Sequence, residues 1–484
     1  MSNNTKKHNQ LFIGGDLSGI QKFLYNITSH EAMVSLIGRS QYLATYMRDI
    51  CEQVKNLPSL KAGNARDIYC SGGKFYVVAN FSESALNELS ELTSQVKKDL
   101  WLEHRGEISI NIGVVPFSEN EDGTVNAGDQ TNSKCGLLWE LMTNEFAVQK
   151  NQKFISEITE NFEEFFVPQK IDEKPKVCAV TGIESNECVE HDGVKLLPSV
   201  LRQITEGRRL SRERGFRTFE EYADDTYLGI LRMDVDGLGT RFIKGFDSIE
   251  QYQKFSNHLT AFFENGILQD LQRKKEYCDF LNIVYAGGDD IFAVGRWDKL
   301  IDFAAEVSSR FASYVQGEGI SISGGIAIVN DKFPIAKAAE MSGEAEHAAK
   351  EYNNGAKNAF CMFGEPLSWN KEFDYVRSKK DEFVYLITQR GLSRGILHKL
   401  MSYFMIIKRN QNNKKRGKKL DYSYMWHVPY YLTRYVARLG SRESEVSIFC
   451  RELRDKELTK GENNFRLIAI AARWAELTIR NIKN

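Results

Sequence analysis

The chain alternates between two periods of apolar residues, and this alternation predicts the order of its strands and helices. Residues 228–236, LGILRMDVD, are typical of a buried strand that ends in acidic residues, and residues 249–271 carry apolar side chains at helical spacing. The elements predicted after them are a strand at 280–286, the turn GGDD, a strand at 291–295, a helix at 299–315, a strand at 320–329 and a helix at about 334–351. The order β-α-β-β-α-β is the ferredoxin-like arrangement.

The N-terminal part repeats this order. Its predicted elements are a strand at 11–17, helical pattern at about 18–55, a hairpin at 68–78, a helix at about 82–99 and a strand at 108–115. Asp16 lies 56 residues before Gly72, and Asp234 lies 53 residues before Gly287, so we align GGKF of the first copy with GGDD of the second. Two related domains explain this match; a coincidence of two common folds is the alternative.

We therefore predict an α+β protein with two ferredoxin-like (βαββαβ) domains. The predicted segments are a first domain at 1–117, a linker with a Cys-containing insertion and helices at 118–220, a second domain with the acidic turn at 221–372, and a helical domain at 373–484.

Composition and charge narrow the class of protein. With 42% hydrophobic and 27% charged residues, the 484-residue chain has the balance of a globular protein. The net charge of −1 means that nucleic acid would be bound by local basic patches. Eight cysteines form no dense framework, the N-terminus lacks a secretory signal, and no apolar run reaches ~18 residues. We expect a cytoplasmic protein without a membrane contact.

Acidic residues at two strand ends are the strongest chemical signal. MDVDGLG at 233–239 and YAGGDDIFAVG at 285–295 would bring Asp234 close to Asp289 and Asp290 at the sheet centre. Crowded carboxylates repel one another unless a cation lies between them, and their oxygens suit Mg²⁺ or Mn²⁺. Two such ions could activate a ribose hydroxyl and stabilise a leaving pyrophosphate. A glycine hairpin with two solvated aspartates is the alternative.

Nearby residues could bind a nucleotide. Gly287 and Gly288 allow a tight turn with room for a ligand, and the turn from Asp236 to Gly237 could offer backbone N–H groups to a triphosphate. Lys350, near a predicted helix end, could meet a phosphate as a point charge or be a solvated surface lysine.

Three other patterns leave alternatives open. Cys178, Cys188 and His191 could ligate zinc, but Thr181 stands where a second thiol would complete the first pair, which favours a metal-free loop. A metal-dependent phosphohydrolase needs several His and Asp ligands. The sequence has one His-Asp dipeptide, His191–Asp192, and no further His and Asp residues are grouped in a way that would complete such a site. Residues 408–419 hold seven basic residues in twelve, and 208–217 form a second cluster; each contacts nucleic-acid phosphates or is a solvated segment.

Six motifs, in order along the chain, resemble a known family. They are GGDLSGIQKFLY at 14–25, SLIGRSQYL at 35–43, CSGGKFYVV at 70–78, MDVDGLG, AGGDD and GLSRGILHKL at 391–400. Together they resemble the large palm-domain subunit of type III CRISPR effector complexes, most closely the Csm (III-A) type. The resemblance implies a degenerate first palm, a zinc-ribbon-like insertion, an active second palm and a C-terminal helical domain.

The resemblance also implies an activity. A subunit of this kind makes 3′–5′-linked cyclic oligoadenylates from ATP when the guide-RNA complex captures target RNA, and it works with the other subunits of that complex. Two ATP molecules would lie between the palms. The implied residues are Asp234, Asp289 and Asp290 for the metal, Gly287, Gly288 and Lys350 for one nucleotide, and Ser71, Gly72 and Gly73 for the second nucleotide, without metal ligands.

Two departures from the family pattern qualify this expectation. The first palm begins near residue 11, so an N-terminal HD nuclease domain, and with it DNA cleavage, is not expected. The cysteine pairs are incomplete, which leaves zinc binding open. A cyclic dinucleotide synthase is a second hypothesis. Two features argue against it: the turn is GGDD instead of GGDEF, and one chain contains two palms. A non-catalytic scaffold is a third, and the intact D-x-D and GGDD motifs argue against it.

Overall fold

The structure is a computed structural model that describes residues 8–28, 31–160, 162–163, 176–223, 227–264, 266–439 and 444–482. The chain divides into two compact units. Unit 1 consists of Met1–Ile322 and Ala327–Glu344, and unit 2 consists of Ser323–Ile326 and Ala345–Asn484. This division does not test the four segments predicted from the sequence, which stay a prediction.

The first ferredoxin-like copy forms a six-stranded sheet in unit 1. Its elements are β1 (Gln10–Ser18), α1 (Ile20–Tyr25), α2 (Ala32–Asn56), α3 (Pro58–Ala62), β2 (Arg66–Ser71), β3 (Lys74–Asn80), α4 (Glu83–His104), β4 (Ser109–Glu119), β5 (Val125–Ala127) and β6 (Gln130–Ser133). The strand order is β2-β3-β1-β4-β5-β6, and β1 is antiparallel to both β3 and β4. The predicted order of elements is confirmed, whereas β5 and β6, short and largely polar, were not predicted.

The central strand β1 lies in the hydrophobic core of this copy. Seven of its nine residues are buried, because helices cover one face of the sheet and α5 (Gly136–Asn151) covers the other. Leu11 and Ile13 lie in the core with Phe75 and Val77 from β3, and Leu89 from α4 packs there too. Apolar burial of this kind stabilises the sheet by ~25 cal/mol per Å² removed from water.

The second copy repeats this arrangement. Its elements are β9 (Leu228–Asp236), α9 (Leu238–Lys244), α10 (Ile249–Phe263), α11 (Ile267–Gln272), β10 (Leu281–Gly287), β11 (Asp290–Arg296), α12 (Trp297–Tyr314), β12 (Ser321–Val329), α13 (Ile335–Gly355), β13 (Ala359–Met362) and β14 (Glu365–Ser368). The strand order is β10-β11-β9-β12-β13-β14. The single helix predicted over 249–271 is instead two helices, and Gly266, at φ +155°, is the N-cap of the second.

A middle region of unit 1 connects the copies. Its described elements are α5, α6 (Ile155–Glu160), β7 (Val189–His191), β8 (Val194–Leu196), α7 (Pro198–Arg214) and α8 (Phe219–Ala223). Two glycines let α7 cross α2 at backbone distance: a Cβ on Gly38 would lie 1.9 Å from the Gln203 carbonyl oxygen, and one on Gly207 would lie 2.1 Å from that of Val34. Side chains at either position would push the helices apart.

The predicted helical character of the C-terminal part is confirmed in unit 2. Its long helices are α14 (Asp374–Gln389), α15 (Gly395–Lys415), α16 (Tyr424–Arg438), α17 (Glu445–Glu452) and α18 (Glu462–Ile482). Arg466 on α18 fixes the unit internally, since it donates to Glu372 at 3.0 Å and to the Tyr352 hydroxyl at 2.8 Å. No helix in the described ranges is long and apolar enough to cross a membrane.

Candidate active site: a carboxylate cluster beside two facing glycine turns

Three carboxylates come together where β9 ends and β11 begins. Asp290 is the register partner of Asp234, and the backbone N–H of Val235 donates to the Asp289 carbonyl at 3.1 Å. One carboxylate oxygen from each of Asp234, Asp289 and Asp290 lies within 4.8 Å of the others, and all three side chains are half-buried. The structure therefore brings together the residues whose proximity the motif spacing predicted.

This cluster fits a hard divalent cation. Carboxylate oxygens at this spacing repel one another, and a cation between them removes the repulsion. In the part of the chain that the structure describes, it is the one group of three or more His, Cys, Asp or Glu ligand atoms at such distances. Oxygen-only donors suit Mg²⁺ and Mn²⁺ alike, so the donor set does not select between these ions.

The glycine turns of the two copies face each other in unit 1. Gly288 has φ +69° and Gly72 has φ +59°. A Cβ on Gly72 would lie 3.0 Å from the Gly288 Cα, and one on Gly288 would lie 2.7 Å from the Tyr69 hydroxyl oxygen. Both positions therefore require glycine for two reasons, the left-handed backbone and the close approach of the opposite turn.

A hydrogen-bonded bridge joins these turns. The backbone N–H of Gly288 donates to the Ser71 hydroxyl oxygen at 2.5 Å, and the Ser71 hydroxyl donates to the Glu264 carboxylate. Glu264 follows the last residue of α10 and belongs to no sequence motif, so the sequence analysis missed it. Only the folded chain brings Glu264 to the turns, because it lies 193 residues from Ser71.

Tyrosines surround the carboxylates. Burial, followed by the charge of Asp289, raises the pKa of Tyr69 well above its usual range. Burial, followed by Asp290 and then Asp289, does the same to the pKa of Tyr285. Both phenols therefore stay protonated near neutral pH and can donate hydrogen bonds in this acidic region.

A cavity of about 290 Å³ opens beside the turns. Residues of both copies line this cavity, so neither copy forms it alone. From the first copy come Ser71, Gly72 and Gly73, and from the second come Tyr285 and Gly287. Gln41, Arg48, Arg214, Gln269 and Gln272 add polar and cationic side chains to its wall.

The first copy carries a lysine where the second carries one of its three carboxylates. Asp16 pairs with Lys74 across β1 and β3, whereas Asp234 pairs with Asp290 across β9 and β11. The Lys150 ammonium lies 2.7 Å from the Asp16 carboxylate, and the Lys74 ammonium lies 4.0 Å from it. Two lysines thus neutralise Asp16 without a metal.

This register corrects the alignment of the two copies. The hairpin pairs Ser71 with Lys74 and Gly287 with Asp290, so Ser71 corresponds to Gly287 and Gly73 corresponds to Asp289. The sequence comparison had matched Gly72 with Gly287 and was wrong by one residue. Matching the glycine pairs by type had ignored the hydrogen-bond register, which decides which residues face each other.

The other predicted nucleotide ligands have structural partners of their own. Asp236 is buried and accepts a hydrogen bond from the Ser321 hydroxyl at 2.6 Å. Gly237 has φ +74° and is the N-cap of α9. Lys350 belongs to unit 2, where its ammonium lies 2.8 Å from Glu346. Their roles toward a nucleotide stay predictions.

The three residues considered for zinc are not gathered into a metal site. Cys178 and Cys188 are buried in an apolar cluster with Val180 and Leu196. His191 ends β7 and lies 3.4 Å from Asp192, which also accepts from Arg208. Within the described ranges, the ligand atoms of these three residues do not all lie within 4.8 Å of one another.

Comparison with known families identifies the chain's relatives. The model for the second palm domain of Cas10/Cmr2 matches residues 227–361, and the model for domain B of the Csm1 subunit matches residues 9–168. Two segments of the chain, each about a third of its length or less, are thus similar to domains of Cas10/Cmr2 and of Csm1. The resemblance inferred from the motifs is therefore confirmed.

Curated relatives are about a quarter identical to the chain over the aligned residues. The proteins of Enterococcus italicus and Mycobacterium tuberculosis are 24% and 25% identical, over 76% of this chain in each case. Both are described as the single-strand-specific deoxyribonuclease Cas10/Csm1 of subtype III-A CRISPR systems. The chain spans 56% of the length of either relative.

Solved structures show the same fold. A Csm1–Csm4 cassette in complex with cA4 matches with a TM-score of 0.70 and 20% identity, covering 98% of this chain and 70% of that one. A Csm1–Csm4 cassette in complex with AMPPNP matches with a TM-score of 0.66 at 20% identity, covering 97% of this chain and 70% of that one.

Proposed function

We propose that this chain joins ATP molecules through 3′–5′ phosphodiester bonds into cyclic oligoadenylates, as the large subunit of a type III-A CRISPR complex. The observation that carries the proposal is the carboxylate cluster of the second copy beside a turn of the first copy in which Gly73 and Lys74 stand at the positions of Asp289 and Asp290. This pairing offers one nucleotide a metal site and the other a metal-free site.

In this proposal, Asp234, Asp289 and Asp290 hold the divalent cation. Mg²⁺ or Mn²⁺ bound there would lower the pKa of a ribose hydroxyl and stabilise negative charge on the phosphates. The 3′-oxygen of one nucleotide forms a bond to the α-phosphorus of the next, the bond to pyrophosphate breaks, and the hydroxyl proton is released. The glycines of the two turns allow the turns to approach each other closely, and the shared cavity beside them would receive the reacting nucleotides.

The second nucleotide would use the first copy. Ser71, Gly72 and Gly73 line the shared cavity, and Lys74 begins the strand that follows them. Lys74 and Lys150 have half-exposed side chains, so they can meet phosphate oxygens from the solvent side while they neutralise Asp16.

The comparisons support adenine and the cyclic product. Related cassettes have been solved in complex with cA4, AMPPNP and pppApA, which are an adenylate ring, an ATP analogue and a linear adenylate. We propose that this chain binds the same kinds of ligand. We also propose that it assembles with a Csm4-like partner, the other subunits of the complex, guide RNA and target RNA. DNA cleavage, named for the relatives, lies outside the proposal, because the chain spans 56% of their length.

A product assay tests this proposal. The complex purified with guide and matching target RNA is incubated with ATP and Mg²⁺ or Mn²⁺, and the products are resolved by mass spectrometry. We expect cyclic oligoadenylates, and their loss in Asp289→Ala/Asp290→Ala. Asp270→Ala is the matched control, since Asp270 is an exposed acid on α11 whose side chain pairs with Arg273.

Other outcomes would select the competing functions. Cyclic product from GTP but not from ATP would identify a cyclic dinucleotide or altered-base synthase. No product from any nucleotide, with an intact complex, would make the chain a scaffold.

A further inference from the structure

The segment from α15 to α16 in unit 2 has a charge unlike the rest of the chain. Nine Lys and Arg residues and one acidic residue, Asp421, lie between Met401 and Leu439, a formal charge of +8 in a chain of net charge −1. Two of the nine have acidic partners: Lys408 with Glu365 and Arg409 with Asp421. A local excess of this size attracts polyanions.

The basic loop between these helices is held in one shape. The buried Asn410 side chain donates to the Asp421 carbonyl at 2.6 Å and accepts from the Asp421 N–H at 2.9 Å. The Lys418 N–H donates to the Asn413 carbonyl at 2.8 Å, and the Asn413 side chain donates to the Lys419 carbonyl at 3.1 Å. The lysines are therefore presented on an ordered loop, so binding a ligand costs less conformational entropy.

Aromatic side chains are exposed on the helix that follows this loop. Tyr424, Val428 and Leu432 form the buried stripe of α16. Trp426 and Tyr430 lie about 200° around the helix from that stripe and are 60% and 63% exposed. Packing within the unit does not account for two large rings on the solvent face, and Tyr422, just before the helix, is 49% exposed as well.

The spacing of these rings suits bases of a single strand. Trp426 and Tyr430 are four residues apart on α16, and four residues of an α-helix advance about 6 Å. Tyr422 lies four residues before Trp426, ahead of the helix. Bases stacked directly on one another are ~3.4 Å apart, so an aromatic ring inserted between two bases separates them by roughly twice that distance. The helix therefore matches a strand whose bases alternate with protein rings. A base-paired duplex uses these rings less readily, because it must first unstack its base pairs, which costs free energy at each step.

A cation continues the row. The Arg434 guanidinium lies 5.7 Å from the Tyr430 ring centre and donates to the Tyr430 hydroxyl at 3.3 Å. Arg434 is exposed, so it can meet a backbone phosphate beside a stacked base. Rings that stack bases beside cations that follow the backbone are the usual design of single-strand binding surfaces.

We propose that the loop Lys414–Lys419 and the exposed face of α16 form a binding surface for single-stranded nucleic acid. We call it the α16 surface. A protein partner could also use exposed Trp, Tyr and Arg. The charge of this segment favours a polyanion over a protein. Protein surfaces carry both acidic and basic residues, and with one acidic residue the segment has almost nothing to pair with the basic ones. The surface does not depend on the proposed synthase activity, since none of its residues belongs to the carboxylate cluster or the glycine turns.

The test measures binding of labelled oligonucleotides to the purified full chain by fluorescence anisotropy. The probes are a mixed-sequence single-stranded RNA of roughly 20 nucleotides, which exceeds site sizes of ~4–16 nucleotides, the same sequence as DNA, and the RNA duplex. We expect both single strands to bind more tightly than the duplex. Trp426→Ala/Tyr430→Ala should weaken single-strand binding by about tenfold or more, whereas Trp426→Phe should retain most of it.

A salt titration tests the cations separately. Lys415→Gln/Lys418→Gln/Lys419→Gln should make the slope of log affinity against log salt shallower by about 2, since each lost contact removes ~0.7 for a single strand. The matched controls are Tyr385→Ala, an aromatic residue 42% exposed elsewhere in unit 2, and Lys61→Gln/Lys97→Gln/Lys98→Gln in unit 1. Both controls should bind like the wild type.

Two results would overturn the proposal. One is unchanged single-strand affinity in both sets of α16-surface variants, at unchanged thermal stability. The other is retained nucleic-acid binding together with lost assembly with the partner subunits, which would make the α16 surface a protein interface. Asp289→Ala/Asp290→Ala should bind the oligonucleotides normally, so this test and the product assay can fail independently.

Discussion

Replacing Gly288 by alanine tests whether the two glycine turns face each other as described. An alanine at φ +69° has a strained left-handed backbone, which costs ~1–2 kcal/mol. Its methyl group would also lie 2.7 Å from the Tyr69 hydroxyl oxygen and 3.2 Å from the Gly72 Cα. Overpacking of this kind adds ~1–3 kcal/mol, so the expected total is about 2–5 kcal/mol.

Gly215→Ala is the matched control. Gly215 has φ +68° in the same unit, and no atom lies within 4 Å of the position its Cβ would take. Its substitution therefore carries the backbone strain of ~1–2 kcal/mol without the overlap. The difference between the two variants isolates the contact between the turns.

The assay is the thermal midpoint of unit 1 by calorimetry. Unit 1 has roughly 340 residues, and ~2.1 cal/mol/K per residue gives an unfolding entropy of about 0.7 kcal/mol/K. One kcal/mol then shifts the midpoint by about 1.4 °C. We expect a decrease of about 1.5–3 °C for Gly215→Ala and about 3–7 °C for Gly288→Ala.

A second substitution locates the overlap. Tyr69→Phe removes the hydroxyl oxygen nearest the added methyl group, so Gly288→Ala should cost less in that background. Equal midpoints for Gly288→Ala and Gly215→Ala would refute the facing arrangement, and so would equal costs in the presence and absence of the Tyr69 hydroxyl. Product formation measured in parallel should fall more in Gly288→Ala than in the control.

Three further predictions concern the surroundings of the site. Ser71→Ala leaves the Gly288 N–H without its acceptor, which should cost ~1–3 kcal/mol and reduce product formation, whereas Ser84→Ala at an exposed position should do neither. Lys150→Met removes the closer of the two cations from the buried Asp16; because the lysine is half-exposed we expect a modest loss, about 1 kcal/mol, and a smaller loss when Asp16→Asn is already present. Burial lowers the pKa of His104 from 6.5 to about 4. The unfolded chain therefore binds more protons between these values, so this residue's stabilising effect is full above pH ~6.5 and decreases by about 3 kcal/mol as pH falls to ~4. His104→Gln should show a shallower loss of thermal midpoint over that range, and an unchanged slope would contradict the assignment.

Local pattern predicted the elements that carry most of the burial. Strand β9 was predicted with its observed bounds, and α12 and β12 within two residues, because long apolar periods are set by the sequence itself. Strands β5, β6, β13 and β14 were missed, because three or four residues carry too little periodicity to be recognised. Such short strands form only when an existing sheet edge offers them hydrogen bonds.

The sequence alone determined the carboxylate cluster, since the ferredoxin-like order places the ends of β9 and β11 side by side wherever it occurs. Only the tertiary structure decided that the two glycine turns meet, that Glu264 connects to them through Ser71, and that Lys74 occupies the position of Asp290. The physical reason is that the order of the elements along the chain and the period of their apolar residues are written in the local sequence. Contacts between residues far apart in sequence depend instead on hydrogen-bond register and on which faces pack together.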